Sequence, residues 1–208
     1  MRTRLLAAAA LVALASGCAT VRWSRVRSDY DAIDKRQTKR LVIVTHPLPD
    51  GKPKVGELWS KVARDYVNLK RQFIIKAFCS AGGAAFDPRS QCAEGVEGVL
   101  WLDPKMTPRD AGFESQVKAS LVRCRDGQEV WAAEAGGTWR SDDEGLKETV
   151  KLYSDDLGPE VAPYVVPTWR LLIPTLNTLP DPILNEEEKD EKIELSAAPQ
   201  PREDLARR

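Results

Sequence analysis

SQVKASLVRCRDGQEVWAAEAGGTW, residues 115–139, is the stretch from which the fold can be read. Ser115 to Arg123 and Glu129 to Ala135 are two strand-length runs, mixed apolar and polar, separated by Asp126-Gly127, a pair suited to the positive φ angles of a tight reversal. The stretch therefore predicts a β-hairpin. Gly136-Gly137 predicts a bulge or bend before Trp139. A phosphate cradle is the weaker reading, because no helix follows closely enough to turn its amides toward an anion.

Upstream of the hairpin, Gly98-Val99-Leu100-Trp101-Leu102 reads as a strand ended by Asp103-Pro104. Leu41-Val42-Ile43-Val44 is a β-branched run stopped at His46-Pro47, which marks a buried strand, central in its sheet. Between them Val55, Leu58, Trp59, Val62, Tyr66, Leu69 and Phe73 recur at spacings of three and four, making one stripe on a helix. Phe73 to Phe78 then reads as a further strand and Cys79 to Gly83 as a loop.

Downstream, Ser141-Asp142-Asp143-Glu144 has the capping-box pattern, with Ser141 as cap, and Leu146, Val150, Tyr153 and Leu157 continue it as a helical stripe. Pro159 to Leu179 keeps helical spacing but contains Pro163, Pro167 and Pro174, which predicts short helical pieces rather than one rod. Leu179-Pro180-Asp181-Pro182 closes the domain. The order β-α-β-β-β-β-α predicts an α+β fold: a single domain with a mixed sheet of about five strands and helices mainly on one face. Its expected limits are 40–182, with a tether at 18–39 and a charged, disordered tail at 183–208.

The first 17 residues have the form of an export signal. Arg2 and Arg4 precede an apolar run from Leu5 to Ala15, too short to span a bilayer, and Ala15-Ser16-Gly17-Cys18 resembles a bacterial lipobox with Ala15 where Leu is usual. That resemblance implies diacylglycerol on the Cys18 sulfur, cleavage before it, and acylation of its new amino group. Three acyl chains hold a protein on a membrane far more firmly than one. Ala19 rather than Asp after Cys18 implies delivery to the outer membrane, periplasmic side.

Removing the signal takes Arg2 and Arg4 away, leaving 29 basic against 31 acidic residues, a balance without the footprint of nucleic-acid binding. Cys79, Cys92 and Cys124 remain, in a compartment where disulfides persist. If the Gly98 strand and the Ser115 strand are antiparallel neighbours about a loop from Asp103 to Glu114, Cys92 falls opposite Cys124. The rival pairing is Cys79 with Cys92, closing the glycine-rich loop.

His46 is the only histidine, unaccompanied by a GxSxG, and reads as structural; no residue is assigned to catalysis or to a metal, and no cofactor is expected beyond the lipid. Trp59, Trp101, Trp131 and Trp169 fall on helix stripes or strands and read as core. Trp139 and Trp23 are the candidates for a partner surface, and Trp23, five residues from Cys18, for the membrane interface.

GVLWLDP (98–104), LVRCRDGQEVWAAEAGGTW (121–139), GPEVAPYVVPTWRLL (158–172), TLPDPIL (178–184) and EKIEL (191–195), taken with the lipobox, resemble an uncharacterised family of lipoproteins found in myxobacteria and some spirochaetes. In architecture the chain is more distantly similar to the periplasmic α/β domains of curli-secretion and penicillin-binding-protein-activator lipoproteins. That likeness implies partner binding. The resulting expectation is a non-enzymatic accessory, scaffold or binding component of an envelope assembly, with protein partners in the envelope. The alternatives are a hydrolase or transferase acting on envelope polymers, or a small-ligand carrier.

Overall fold

The computed structural model describes residues 20–48, 52–81 and 87–197. Its elements run β1 (Thr20–Val26), α1 (Asp34–Gln37), β2 (Arg40–Thr45), α2 (Pro53–Lys70), β3 (Ile74–Ser80), β4 (Gly98–Arg109), β5 (Gly112–Arg123), β6 (Glu129–Arg140), α3 (Lys147–Leu157), α4 (Ala162–Asn177) and α5 (Glu186–Ala197). One mixed sheet holds six strands in the order β1-β6-β5-β4-β2-β3. β2 runs parallel to both β3 and β4, and the remaining pairs are antiparallel. The fold is α+β, as the order of patterns predicts.

The hairpin forms where expected: β5 and β6 pair from Gly112↔Arg140 to Val122↔Glu129, across a turn in which Gly127 has φ 72°. Gly136 and Gly137 stand in unbroken pairing with Gln116 and Ser115, so they mark no bulge. Gly137 serves packing instead. A Cβ there would lie 2.6 Å from the ring of Trp139, so the bare α-carbon is what lets that indole fold over its own strand.

β4 continues past Asp103-Pro104 to Arg109 and turns at Asp110-Ala111. The prolines are tolerated for a reason the register supplies. β2 ends level with Leu102, whose carbonyl accepts from the His46 amide (2.7 Å). Residues of the same parity further along β4, Pro104 and Pro108, would point their amides at an edge that β2 no longer covers.

The main core lies between one sheet face and the helices α2 and α4. Trp59, Phe73, Leu100, Leu121, Trp131 and Tyr153 are fully buried in it. Leu69, expected on the buried stripe, is exposed near the end of α2. Ser141 is not the cap of the following helix: Asp143 accepts from the Gly145 amide (2.9 Å) and starts a 3-10 turn that leads into α3. α4 is one continuous helix with Pro167 and Pro174 inside it. Each interior proline costs roughly 3 kcal/mol of helix stability. Burial of Val165, Val166, Leu171, Leu172 and Leu176 offsets it.

Both flanks of the expected domain also belong to it. Thr20–Val26, placed in the tether by its charge, is the edge strand β1. Glu186–Ala197, placed in the disordered tail, is α5. α5 is started by a reciprocal cap in which the Asn185 side chain accepts from the Glu188 amide (2.9 Å) and Glu188 accepts from the Asn185 amide (2.8 Å). It is held by Lys39 on Glu188 and by Arg40 and Lys76 on Glu191.

Candidate functional site

β1 is the described element nearest the lipobox, beginning at Thr20; Cys18 itself lies outside the described residues. The register pairs Trp23 with Glu134 and Arg25 with Ala132, on the sheet face away from the helices, and Val26 with Trp131 on the core side. Trp23 and Val26 are 41% and 44% exposed, large apolar groups three residues apart on one strand. The Arg25 guanidinium sits 5.5 Å from the centre of the Trp23 ring, a cation–π contact that holds the indole. Arg22 pairs with Glu134 (2.8 Å), Arg25 with Glu129, and Arg27 with Asp29 (2.7 Å). A shallow groove of about 350 Å³ runs beside this strand, between Arg25, Val26 and Arg27 and the Gln128–Trp131 segment of β6.

Trp139, the other tryptophan assigned to a partner surface, is buried in the main core at 6% exposure. The glycine at 137 gives it room to fold inward.

Cys92 and Cys124 form a disulfide with their α-carbons 5.4 Å apart. The predicted pair is correct, but the hairpin tip is Asp110-Ala111, so in register it is Glu97, not Cys92, that meets Cys124: the Cys124 amide donates to the Glu97 carbonyl (2.9 Å). Cys92 reaches the same place because a 3-10 turn at Pro88–Gln91 and a reversal through Gly95 (φ 77°) fold the incoming chain back. The bond thus staples the β3–β4 connection to the sheet face opposite the main core, where Cys92, Val96 and Cys124 pack on Val42, Val44 and Val99. Cys79 remains a thiol, half-buried in the same cluster, and burial pushes its pKa up to about 11. A thiol so protonated is a poor nucleophile near neutral pH.

His46 emerges at the carboxyl end of β2. Its Nδ1 lies 3.0 Å from the Pro47 carbonyl and 3.8 Å from Asp103, and its ring meets Trp101 edge-on at 5.5 Å. The nearby Ser60 hydroxyl is engaged by Thr45 (2.7 Å) and by the Cys79 carbonyl (2.6 Å). Among the described residues, no group of three or more His, Cys, Asp or Glu side chains is placed to hold a metal ion.

One constellation was invisible in the sequence. Asp34, fully buried, accepts from Arg123 (3.0 Å) and from the Thr38 hydroxyl (2.8 Å), while Arg123 also grips Asp126. It ties α1 to the hairpin turn. Asp126 is held low, at about 2, by the Arg123 hydrogen bonds. Only a long-range charge pairing between residues 34 and 123 would have revealed it.

No family model matches the chain, and no curated protein matches it. Solved structures similar to it include the dodecamer of a PelC variant from Paraburkholderia phytofirmans, with 14% identity over 76% of this chain and 96% of that one, at a TM-score of 0.44. The lipoprotein GNA1162 from Neisseria meningitidis is 16% identical over 57% of this chain and 94% of its own, at a TM-score of 0.32. A neuraminyllactose-binding hemagglutinin homolog from Helicobacter pylori is 7% identical over 77% and 92%, at a TM-score of 0.33. Likeness at this level transfers no function. No described helix is long and apolar enough to cross a membrane.

Proposed function

We propose that this chain is a lipid-anchored protein of the bacterial cell envelope, held by acyl chains on Cys18 at the periplasmic face of the outer membrane. There it serves as an accessory, scaffold or binding component of an envelope assembly. The observation that carries the reading is the junction between lipobox and fold: the first strand begins at Thr20, two residues after the cysteine. A chain built this way is held against the membrane, with its edge strand as the first part of the domain a lipid or a neighbouring protein meets.

Binding rather than catalysis is supported by what the reactive side chains already do. His46 is engaged by Pro47 and Trp101, Ser60 by Thr45 and a backbone carbonyl, and the Cys79 thiol is kept protonated by burial. The exposed Trp23, with Arg25 over its ring, is the kind of amphipathic side chain that anchors interfaces. The test is Cys18→Ser: loss of metabolic palmitate labelling and release from the membrane fraction are expected, and unchanged labelling overturns the reading. Crosslinking and pull-down of the wild-type protein from native membranes then identifies its protein partner.

A further inference from the structure

The position of β1 fixes how an anchored domain can lie. Cys18 precedes Thr20 by two residues, so the acylated cysteine lies within about 7 Å of the start of the sheet, however residues 18 and 19 run. Because one acyl chain would be amide-linked to the Cys18 amino group, that end of the chain is at the membrane surface.

Thr20 pairs with Gly136, which pairs with Gln116, which pairs with Lys105. Beyond this row β4, β5 and β6 continue as a ribbon for four more residues, to Arg109, Gly112 and Arg140. Four residues of strand are about 14 Å, twice the reach of the linker. With the strands upright on the membrane, this ribbon would pass beyond Cys18 into hydrocarbon, carrying Arg109, Asp110, Arg140 and Asp142, all exposed.

The domain therefore cannot stand on its end. The end of β6 lies one strand spacing, about 4.8 Å, to the side of β1 and about 14 Å further along, so a plane that touches Thr20 and clears the ribbon runs within about 20° of the strand direction. Full extension of the linker relaxes that limit only to about 50°.

We infer that the domain rests on its β1 edge, with Trp23 and Val26 in the headgroup layer of the bilayer and the strands inclined toward the membrane plane. This rests on lipidation at Cys18. The two sheet edges differ as such an orientation requires. α5 packs beside β3 through the ion pair of Glu191 with Lys76, whereas the outer side of β1 has no further strand among the described residues and carries two of the large exposed apolar side chains. Tryptophan is at home in that layer, and water and phosphate oxygens can satisfy the free backbone groups of the strand. Arg22, Arg25 and Arg27 are matched by Glu134, Glu129 and Asp29, so the edge is close to neutral and its seating does not depend on anionic lipid.

The experiment uses full-length lipidated protein in a Cys79→Ala background, labelled with an environment-sensitive fluorophore at Ser24→Cys on β1, Ala111→Cys at the ribbon tip or Asp190→Cys on α5. Each is reconstituted into phosphatidylcholine vesicles bearing a nitroxide headgroup. Most of the fluorescence at position 24 is expected to be quenched, with position 190 unaffected. Stronger quenching at 111 than at 24, or none at any position in vesicle-bound protein, overturns the orientation while the anchor stands. Failure of the unlabelled protein to float with vesicles overturns the anchor itself, and the orientation with it.

Discussion

Replacing both Cys92 and Cys124 with serine removes the staple that holds the β3–β4 connection on the sheet face opposite the main core. The two residues are 32 apart in sequence. Freeing a loop of that size returns about 3.7 kcal/mol of chain entropy to the unfolded state at 25 °C. The native contacts that remain, Val96 against the Val42, Val44 and Val99 cluster and Glu97 accepting from the Lys39 and Arg40 amides, still position the loop, so the folded state should persist. For a urea m-value of about 2 kcal/mol/M, the midpoint should fall by about 2 M, and the slope should if anything steepen because the unfolded chain without its crosslink is less compact. Equilibrium urea unfolding followed by tryptophan fluorescence measures this, with oxidised and reduced wild type as internal references. A fall of less than about 0.5 M would refute the assignment of this bond as a major constraint on the unfolded chain. A non-reducing peptide map linking Cys79 to either partner would refute the pairing.

Asp34→Asn takes the charge from a fully buried partner of Arg123 and should destabilise the protein by about 3 kcal/mol in the same urea assay, because Asp126 alone then balances the guanidinium. α5 is gripped by carboxylates, and its hold depends on pH. Burial works to raise the Glu188 pKa but Lys39, the Asn185 amide and Arg40 together outweigh it, and the hydrogen bonds from Arg40 hold Glu191 low, so both carboxyls titrate below the ordinary glutamate range. Stability from a depressed carboxyl is complete above its unfolded pKa and is lost as pH falls through the folded value. The protection factors of the amides in residues 186–197, from which the intrinsic pH dependence of exchange has been divided out, should therefore be unchanged from pH 7 to 5 and fall below about pH 4. Cys79, with a thiol pKa pushed up to about 11, should resist iodoacetamide at pH 8 in folded protein and react fully in urea.

The elements legible in the sequence are those in which one signal dominates. The 115–139 hairpin has its turn dipeptide, β2 its β-branched run, and α2 its apolar stripe, each recorded in local order. In β1, Arg22 and Arg25 read as solvated charge, and only the partners Glu134 and Glu129, more than a hundred residues away, make them strand residues. α5 carries no apolar stripe; its signal is the cap pair Asn185 and Glu188, set in a run of acids that reads as a solvated tail. Proline misled twice for opposite reasons. In β4 the edge beyond β2 tolerates Pro104 and Pro108, and in α4 burial outweighs the cost of Pro167 and Pro174. Of the candidate site, the disulfide pair was legible although its register was not, and Trp139 failed because the space above Gly137 is a tertiary property.

The most direct test of the account is the intact mass of the mature protein extracted from membranes, with sequencing of its N-terminal peptide. A chain that begins at Cys18 and carries the mass of a diacylglycerol and a third acyl group is expected. An unmodified N-terminus, or one generated at any other residue, would contradict it.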